Sequence, residues 1–347
     1  MEEKFMERMR QLVSMLNEAS KAYYAQDREV MPNYEYDRLY DELVELEKIT
    51  GVVLTNSPTV KVGYEAVDEL PKERHEAPML SLAKTKSREE LQSWLNGKQG
   101  ILSWKLDGLT IVLTYSNGRL VKAVTRGNGE VGEVITNNAR VFCNLPVSIP
   151  CQGELILRGE AVISYSDFAK INSEIADVDA KYKNPRNLCS GSVRQLNNEI
   201  TSNRNVRFYA FHMVKAEGVD FQDSREAQFL FLKEQGFDVV EYRLVDQDTI
   251  LEAVNYFEQK INDYDIPSDG LVLTYEDMAY GRSLGRTAKF PRDSIAFKWA
   301  DELRETITGN VDWAVDYIRN HFEGVEVSKP QGTYMLFVDC TKWCATH

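Results

Sequence analysis

The first part of the chain carries apolar residues at the spacing of two amphipathic helices. The stripe is interrupted at Met31-Pro32 and resumes after Asn33. Its members are Leu12, Met15, Leu16 and Tyr23 before the break, and Tyr36, Leu39, Tyr40, Leu43 and Leu46 after it. Asn33 stands directly before the second stripe, where a helix N-cap is expected. The pattern predicts a lobe of two antiparallel helices within residues 1–62.

From about residue 100 the apolar positions follow the spacing of strands. Runs rich in β-branched and apolar residues predict strands at 101–106, 109–115, 120–125, 155–163, 206–211, 270–275 and 294–299, with helices at 166–176 and 225–235. Asn117-Gly118 is a hairpin turn sequence. Strands joined mainly by turns predict an α+β domain of antiparallel sheets flanked by helices over residues 63–306.

Charge and composition narrow the choice of partners. The 347 residues include 41 Lys and Arg against 54 Asp and Glu, a net charge of −13. Because affinity for phosphate backbones comes from clustered cations, this balance disfavours bulk binding to nucleic acid but allows a local basic groove. No apolar run reaches the roughly 18 residues of a membrane span, and the N-terminus lacks a signal-peptide core. We expect a cytoplasmic protein without a membrane partner, and composition sets no oligomeric state.

Cysteine spacing argues against a metal or disulfide framework. The five cysteines are at positions 143, 151, 189, 340 and 344, without paired C-x-x-C spacing. We interpret them as reduced structural thiols. Cys340, Cys344 and His347 lie near one another, but three ligands make an incomplete zinc set, so no metal ligands are predicted.

The tetrapeptide Lys105-Leu106-Asp107-Gly108, between two predicted strands, is the strongest candidate for chemistry. Apolar neighbours such as Trp104 remove water from the lysine and favour the neutral amine, which is its nucleophilic form. Asp107 follows two residues later on the same face of a strand, where it could orient the amine or a metal ion. Taken alone, the tetrapeptide also fits a surface lysine before an Asp-Gly turn.

Further polar positions follow on successive predicted strands. Arg126 lies in a glycine-flanked loop suited to phosphate or ribose, and Glu160 could bind a ribose hydroxyl or magnesium. Asp269 precedes Gly270 at the start of an apolar strand. Lys298 is a cation inside an apolar strand, where a phosphate partner is expected. Each position alone is compatible with a structural role, but their order favours a single site.

These segments resemble the motifs of covalent nucleotidyltransferases. Residues 105–108 resemble motif I (K-x-D-G), and residues 157–160, 269–272 and 296–298 resemble motifs III, IV and V. Over residues 1–306 the sequence is similar, in order and spacing, to the bacterial NAD-dependent DNA ligases. The similar segments include Tyr23 with residues 35–39, which resemble the nicotinamide-binding lobe, and residues 57–59, 75–82, 125–127, 184–187 and 194–196.

The resemblance implies a fold, a reaction and residue roles. The fold would be a helical lobe followed by a nucleotidyltransferase domain of the ATP-grasp-like, DNA ligase adenylation type. Lys105, with Asp107 and Lys298 as further catalytic residues and Mg²⁺ assisting, would attack NAD⁺, form lysine–AMP and release nicotinamide mononucleotide. The AMP would then pass to the 5′-phosphate of nicked DNA. The implied NAD⁺-binding positions are Tyr23, Asn33, Tyr36 and Asp37 for the nicotinamide half, Ser81, Leu82 and Ser103 for adenosine, and Arg126, Glu160, Arg186, Arg194, Thr274 and Lys298 for phosphate and ribose.

Several positions depart from the family pattern. They are Tyr24 for histidine, Asn33 for an acidic residue, Ser103 for glutamate, Asn128 and Val134 for acidic residues, and Thr274 for the lysine that ends motif IV. Loss of that lysine is expected to cost on the order of a few kcal/mol of transition-state stabilisation. The family continues into OB-fold, zinc-finger, helix-hairpin-helix and BRCT modules that encircle DNA. We therefore expect the first half-reaction rather than complete nick sealing, with DNA bound weakly or with a helper chain.

Residues 307–347 form a third segment with its own pattern. Trp313, Tyr317 and His321 share a helical face, and a strand is predicted at 333–338. The segment resembles a fragment of fold-type I, pyridoxal-phosphate aminotransferases without the cofactor lysine, so no activity is inferred from it. The same pattern also fits a tail that packs on the sheet or stays partly loose.

Two other functions remain open on the sequence alone. Ser103, Asn33 and Thr274 favour a catalytically degenerate module that binds NAD⁺ or AMP without turnover. A nucleotidyltransferase with another donor or acceptor, such as ATP or RNA, is the second alternative. The retained Lys105 favours an enzyme, because a pure binding module needs no nucleophile, and the helical lobe favours NAD⁺ over ATP.

Overall fold

A computed structural model describes residues 2–26, 31–59, 69–76, 78–175, 181–287 and 289–299, with short pieces of the third segment at 314–315, 317–322, 325–327 and 338–339. Its helices are α1 (Glu2–Gln26), α2 (Asn33–Thr50), α3 (Arg88–Trp94), α4 (Thr136–Ala139), α5 (Tyr165–Glu174), α6 (Pro185–Val193), α7 (Asn198–Ser202), α8 (Arg225–Glu234), α9 (Ile250–Lys260) and α10 (Met278–Leu284), with a 3₁₀ turn at Ile261–Asp263. Its strands are β1 (Val53–Leu54), β2 (Lys72–Arg74), β3 (Ala83–Thr85), β4 (Gly100–Leu106), β5 (Leu109–Ser116), β6 (Arg119–Thr125), β7 (Val131–Glu133), β8 (Pro146–Ser148), β9 (Leu155–Val162), β10 (Arg207–Ala216), β11 (Tyr242–Val245), β12 (Ser268–Tyr275), β13 (Ser294–Lys298), β14 (Glu326–Val327) and β15 (Val338–Asp339).

The helical lobe forms as its apolar spacing predicts. Leu12, Leu16 and Leu43 are fully buried between α1 and α2. Arg8 donates to Glu42 Oε1 at 2.7 Å, and Thr50 Oγ1 at the end of α2 donates to Met9 Sδ in the first half of α1 at 3.5 Å. Because the end of α1 and the start of α2 are close in sequence, these contacts make the two helices antiparallel.

The expected N-cap at Asn33 is wrong by one residue. Pro32 is the cap: its backbone is extended, with ψ at 146°, and its carbonyl accepts hydrogen bonds from the amides of Glu35 and Tyr36. A cap needs a non-helical backbone and a carbonyl that starts the helix, and Pro32 meets both requirements. Asn33 is the first residue of α2.

Two large sheets flanked by helices follow the lobe in the described chain, and the predicted α+β class is confirmed. The first sheet has the strand order β1-β8-β6-β5-β9-β10 and is antiparallel throughout. The second has the order β11-β4-β12-β13-β3, antiparallel except where β3 pairs parallel to β13. Short pairs join β2 with β7 and β14 with β15.

Each sheet has its own apolar core. Phe142, Leu157 and Phe208 belong to the core of the first sheet. Trp104 and Phe257 belong to the core of the second, where helix α9 packs against β4. The opposite face of the second sheet is therefore available to line a cavity between the sheets.

The third segment is described only in pieces. Residues 314–315 and 317–321 are helical, and Val327 pairs with Val338 across β14 and β15. Trp313, most of the predicted strand at 333–338, Cys340, Cys344 and His347 lie outside the described residues. Among the residues that are described, no helix is long and apolar enough to cross a membrane.

Candidate active site

A cavity of about 640 Å³ between the two sheets collects most of the predicted site residues. Strands β4, β12 and β13 line one side of it, and β5, β9 and β10 line the other. The predicted residues in its lining are Ser81, Leu82, Ser103, Lys105, Arg126, Glu160, Arg186, Thr274 and Lys298. Asp107 and Arg194 lie outside this lining.

Three charged side chains meet at one end of the cavity, which we call the lysine end (Lys105, Asp269 and Lys298). Strand pairing places Gly270 between Lys105 on β4 and Lys298 on β13. Lys105 Nζ donates to Asp269 Oδ1 at 2.8 Å, and Lys298 Nζ donates to Asp269 Oδ2. One carboxylate thus holds both ammonium groups.

Gly270 allows these strands to come this close. Its φ is +153°, and a Cβ at this position would lie 1.9 Å from the Phe297 carbonyl oxygen. A side chain here would force β12 and β13 apart and separate the lysines from Asp269.

The structure changes the expected surroundings of the lysines in two ways. Asp107 does not share a strand face with Lys105; it follows the end of β4 and accepts a hydrogen bond from Arg186 Nη1 at 2.6 Å. Lys298 has Asp269 as an anionic partner, and its expected contact with a phosphate stays a prediction. The reason in both cases is strand order, since β12 lies between β4 and β13 and brings Asp269 to both lysines.

Burial and neighbouring charges shift the pKa values of Asp269 and Lys298 at the lysine end. Burial lowers the pKa of the Lys298 ammonium, and the charge of Lys105 adds to this effect against the opposing attraction of Asp269. Burial alone would raise the pKa of Asp269, but Lys105 and then Lys298 lower it below its ordinary value. Asp269 is therefore ionised, and the Lys298 ammonium loses its proton more easily than that of an ordinary lysine.

Glu160 is a buried carboxylate on β9 that faces the cavity. It accepts hydrogen bonds from the Gly108 amide at 3.1 Å and from Thr110 Oγ1 at 2.8 Å. Burial raises its pKa to about 7, although these two hydrogen bonds oppose the shift. The Gly108 contact ties this carboxylate to the loop that follows Lys105.

The loop that carries Arg126 is held from two sides. Arg126 Nη2 donates to the Met79 carbonyl at 3.1 Å and to Ser81 Oγ at 3.3 Å. His75 Nε2 lies 3.1 Å from the Thr125 carbonyl and 3.2 Å from that of Arg126. The loop therefore presents Arg126 to the cavity beside the segment of Ser81.

Asn128, one of the departures from the family pattern, stabilises the turn of that loop. Asn128 Oδ1 accepts hydrogen bonds from the amides of Glu130 at 2.9 Å and Val131 at 2.8 Å. An amide oxygen accepts these bonds as a carboxylate does, so the turn persists. Gly127 is required there, since its φ is +56° and a Cβ would lie 1.9 Å from the Val131 carbonyl oxygen.

The two arginines expected near phosphates lie apart. Arg186 lines the cavity and forms the ion pair with Asp107. Arg194 lies at the end of α6, where its guanidinium donates to Glu133 Oε2 at 2.5 Å and to Ser190 Oγ at 2.7 Å. Only Arg186 belongs to the cavity lining.

Neutral side chains line the other end of the cavity, which we call the hydroxyl end (Ser103, Thr274 and Ser294). Thr274 Oγ1 donates to Ser294 Oγ at 3.2 Å, and Ser294 Oγ donates to Asp293 Oδ1 at 3.1 Å. Ser103 Oγ is 3.5 Å from the Val272 carbonyl oxygen. Phe211 lies in the opposite wall, at a bulge of β10 between Ala210 and His212.

The buried Arg225 and its partner His212 lie behind the hydroxyl end. Arg225 lines the cavity, and its guanidinium contacts Asp293 Oδ2 at 3.4 Å, the Tyr275 carbonyl at 3.1 Å and His212 Nδ1 at 3.2 Å. Burial lowers the pKa of His212 to about 3, with further lowering by Arg225 and then Arg158. His212 is therefore neutral and accepts the Arg225 hydrogen bond at Nδ1.

Sequence reasoning missed several cavity residues. They are Phe211, Asp293, Ser294, Arg225, His212 and Arg158. Asp269 is a predicted position of motif IV, but its contact with both lysines has no signal in the sequence. A bulge in β10 and the contact between α8 and β10 bring Phe211, His212 and Arg225 to the cavity.

Tyr36 is the predicted site residue of the helical lobe whose side chain the structure describes. Tyr36 stacks on Tyr40 with ring centroids 6.4 Å apart, outside the cavity lining. The side chains of Tyr23, Tyr24, Asn33 and Asp37 lie outside the description, although their backbones belong to α1 and α2.

The carboxylates of the cavity fit a phosphate-bound magnesium ion. The described residues contain no group of three or more potential metal ligands. Mg²⁺, however, is usually bound through one or two carboxylates and the phosphates of a substrate. Glu160 and Asp269 supply hard oxygen atoms of that kind in the lining.

Comparison with known proteins identifies the family. Residues 67–302 match the model of the NAD-dependent DNA ligase adenylation domain, and residues 2–63 match that of the DNA ligase-like, N-terminal NAD⁺-binding domain. The chain belongs to the NAD-dependent DNA ligase family. The resemblance stated from the motifs is confirmed.

Curated relatives agree with this assignment. The DNA ligase of Ruminiclostridium cellulolyticum is 65% identical over 306 residues, and that of Lachnoclostridium phytofermentans is 62% identical over 308 residues. These matches cover 88% and 89% of this chain and 47% of each relative, so the chain spans about half the length of these ligases. A solved structure of mycobacterial DNA ligase D with ATP and MES is similar at 14% identity and a TM-score of 0.37, covering 64% of this chain and 60% of that one.

Proposed function

We propose that this NAD-dependent DNA ligase chain is an adenylyltransferase in which Lys105 becomes covalently adenylylated. The observation that carries the proposal is the lysine end, where Lys105 Nζ faces the cavity 2.8 Å from Asp269 and beside Lys298. The neutral amine attacks the AMP phosphorus of NAD⁺. A P–N bond forms, the P–O bond to nicotinamide mononucleotide breaks, and that product leaves with the electron pair. Asp269 is placed to take the proton that the amine loses.

The remaining charges support transfer of a phosphoryl group. Lys298, Arg126 and Arg186 neutralise phosphate charge that grows on the leaving group. Glu160 accepts ribose hydroxyl hydrogen bonds, and Ser81 and Leu82 line the adenosine. A magnesium ion, held by Glu160 or Asp269 with phosphate oxygens, would supply further charge neutralisation.

The donor and the acceptor are parts of the same proposal. The match of residues 2–63 to an NAD⁺-binding domain supports NAD⁺ as donor, with Tyr23, Asn33, Tyr36 and Asp37 near the nicotinamide half. Nicked DNA is the proposed acceptor, with Arg194 as a phosphate contact, because the relatives are DNA ligases. We infer a cytoplasmic location, where both substrates occur in bacteria.

A binding module without turnover is the second candidate. The ion pair of Lys105 with Asp269 favours it, because a lysine held by a carboxylate on the neighbouring strand can have a purely structural role. The absence of a cation at Thr274 points in the same direction.

Intact-mass spectrometry separates these candidates. The purified protein is incubated with NAD⁺ and Mg²⁺, and in parallel with ATP and Mg²⁺. We expect one AMP adduct from NAD⁺, lost in Lys105→Ala and kept in Lys215→Ala, a surface lysine with a matched carboxylate partner in Glu154. No adduct from either donor in folded protein would refute the enzyme and favour the binding module. An adduct from ATP alone would refute NAD⁺ as the donor.

A further inference from the structure

We propose that Asp293 determines base specificity by fixing the direction of the hydrogen bonds at the hydroxyl end, so that Thr274 accepts from the exocyclic amine of the donor's adenine. The inference rests on the proposed function. It concerns one further residue, which touches no reacting atom and acts through Ser294 and Thr274.

The hydrogen-bond direction follows from the donor count. An ionised carboxylate only accepts, so Ser294, 3.1 Å away, must donate its hydrogen to Asp293. A hydroxyl has one hydrogen, so Ser294 can only accept from Thr274, 3.2 Å away. The Thr274 hydroxyl hydrogen is then engaged with Ser294. The free lone pairs of Thr274 Oγ1 remain as hydrogen-bond acceptors in the cavity lining.

Asp293 is held in place for this task. Its second oxygen, Oδ2, accepts a hydrogen bond from Arg225 Nη2 at 3.4 Å, so Oδ1 is the oxygen that accepts from Ser294. Arg225 is itself buried and fixed by the Tyr275 carbonyl and by His212. The Arg225 guanidinium on the far side holds Oδ2 and so keeps Oδ1 directed toward Ser294.

The geometry places the base at the hydroxyl end. Attack by Lys105 requires the AMP phosphorus at the lysine end, so the base extends along β12 and β13 past Val272 and Ala296, which line the cavity. Phe211 lies in the opposite wall and offers a ring for stacking. Adenine carries an amine, a hydrogen-bond donor, which matches the acceptor that Thr274 presents.

The test compares NAD⁺ with nicotinamide purine dinucleotide, which lacks only the 6-amino group. Single-turnover release of nicotinamide mononucleotide is measured with each donor. We expect the wild type to favour NAD⁺ by about tenfold, the contribution of one such hydrogen bond. The side-chain amide in Asp293→Asn can donate to Ser294 and so reverse the direction of the hydrogen bonds between Asp293, Ser294 and Thr274. The preference of this variant for NAD⁺ over the purine dinucleotide should therefore fall to near unity. Thr274→Val, which keeps Asp293 and Ser294 paired, should lose the preference as well.

Controls separate this inference from general damage and from the proposed function. Asp223→Asn makes the same change at an exposed carboxylate paired with Arg282, and should keep the wild-type ratio. A wild-type ratio retained in both Asp293→Asn and Thr274→Val overturns the inference while adenylylation stands. If no donor is consumed, the proposed function fails, and calorimetric affinities for AMP and purine riboside 5′-monophosphate decide the inference instead. Equal affinities in the wild type overturn it.

Discussion

The two ends of the cavity lie on the same three strands and use different chemistry. At the lysine end, Lys105, Asp269 and Lys298 are all charged and joined through one carboxylate. At the hydroxyl end, Thr274 and Ser294 are neutral and form a chain of hydroxyl groups. The first arrangement suits a reaction that moves negative charge, and the second suits recognition of an uncharged ring.

The departures from the family pattern fall unevenly between these ends. Ser103 and Thr274, which replace a glutamate and a lysine, are both at the hydroxyl end, whereas Lys105 and Lys298 retain their motif residues. An uncharged base can be bound by several combinations of donors and acceptors. Charge at a reacting phosphorus has fewer substitutes, and this contrast agrees with the roles proposed for the two ends.

The largest effect should come from Lys298→Met. Loss of the ammonium beside Lys105 should slow single-turnover release of nicotinamide mononucleotide by about 100-fold or more, because preorganised charge no longer meets the phosphate. Lys298→Arg keeps the charge and should recover part of the rate. A single-turnover rate of Lys298→Met within a few-fold of the wild-type rate would show that the reaction does not depend on the Lys298 charge.

An effect of comparable size concerns the free energy of unfolding and the buried carboxylate of Glu160 near the lysine end. The pKa of Glu160 is raised from 4.5 to about 7, so the folded state binds the proton more tightly than the unfolded state. Its contribution is present at low pH and is lost as pH rises through this window, an effect of about 3 kcal/mol. Glu160→Gln should remove this pH-dependent loss of stability. Urea unfolding of the wild type and of Glu160→Gln at pH 4.5 and at pH 7 measures the loss in each protein. The same pH dependence of stability in both proteins would contradict the prediction.

A smaller effect is expected from Thr274→Val at the hydroxyl end. The half-saturating NAD⁺ concentration should rise by about tenfold, because one hydrogen bond to the base is lost. The single-turnover rate at saturation should stay unchanged, since the reacting atoms are not touched. A lower saturated rate with unchanged affinity would assign Thr274 to the chemistry and remove the distinction between the two ends.

The smallest effect is expected from Ser103→Ala. The Ser103 hydroxyl is 3.5 Å from its carbonyl partner, at the limit of a hydrogen bond, so its position is weakly fixed. We expect about a twofold rise in the half-saturating NAD⁺ concentration and no change in rate. Titration of NAD⁺ in single-turnover assays measures it, and a rise above that of Thr274→Val would reverse the ranking within the hydroxyl end.

Local pattern was sufficient for much of the fold. Helical spacing located α1 and α2, and short runs rich in β-branched and apolar residues located the main strands of both sheets. The pattern in α9 was available but overlooked, although Ile250, Val254 and Phe257 have helical spacing and are buried. The cap at α2 was misplaced because backbone angles, not residue preference, decide which residue starts a helix.

The candidate site was predicted less completely than the fold. Lys105 was found because its motif is contiguous. Its partner Asp269 lies 164 residues later, and only the order β4-β12-β13 brings the two together. Phe211 reaches the cavity through a bulge in β10, which shifts the strand register and has no signature in sequence. The roles assigned to the predicted site residues stay predictions.

The strand order at the lysine end also dictates when this site can exist during synthesis. Lys105 leaves the ribosome long before Asp269 and Lys298, and β13, which carries Lys298, is the last strand of the second sheet to be made. Contacts between residues so distant in sequence form late in folding. A nascent chain that has exposed Lys105 therefore lacks Asp269 and Lys298, and the reaction proposed for this site requires the second sheet to be complete.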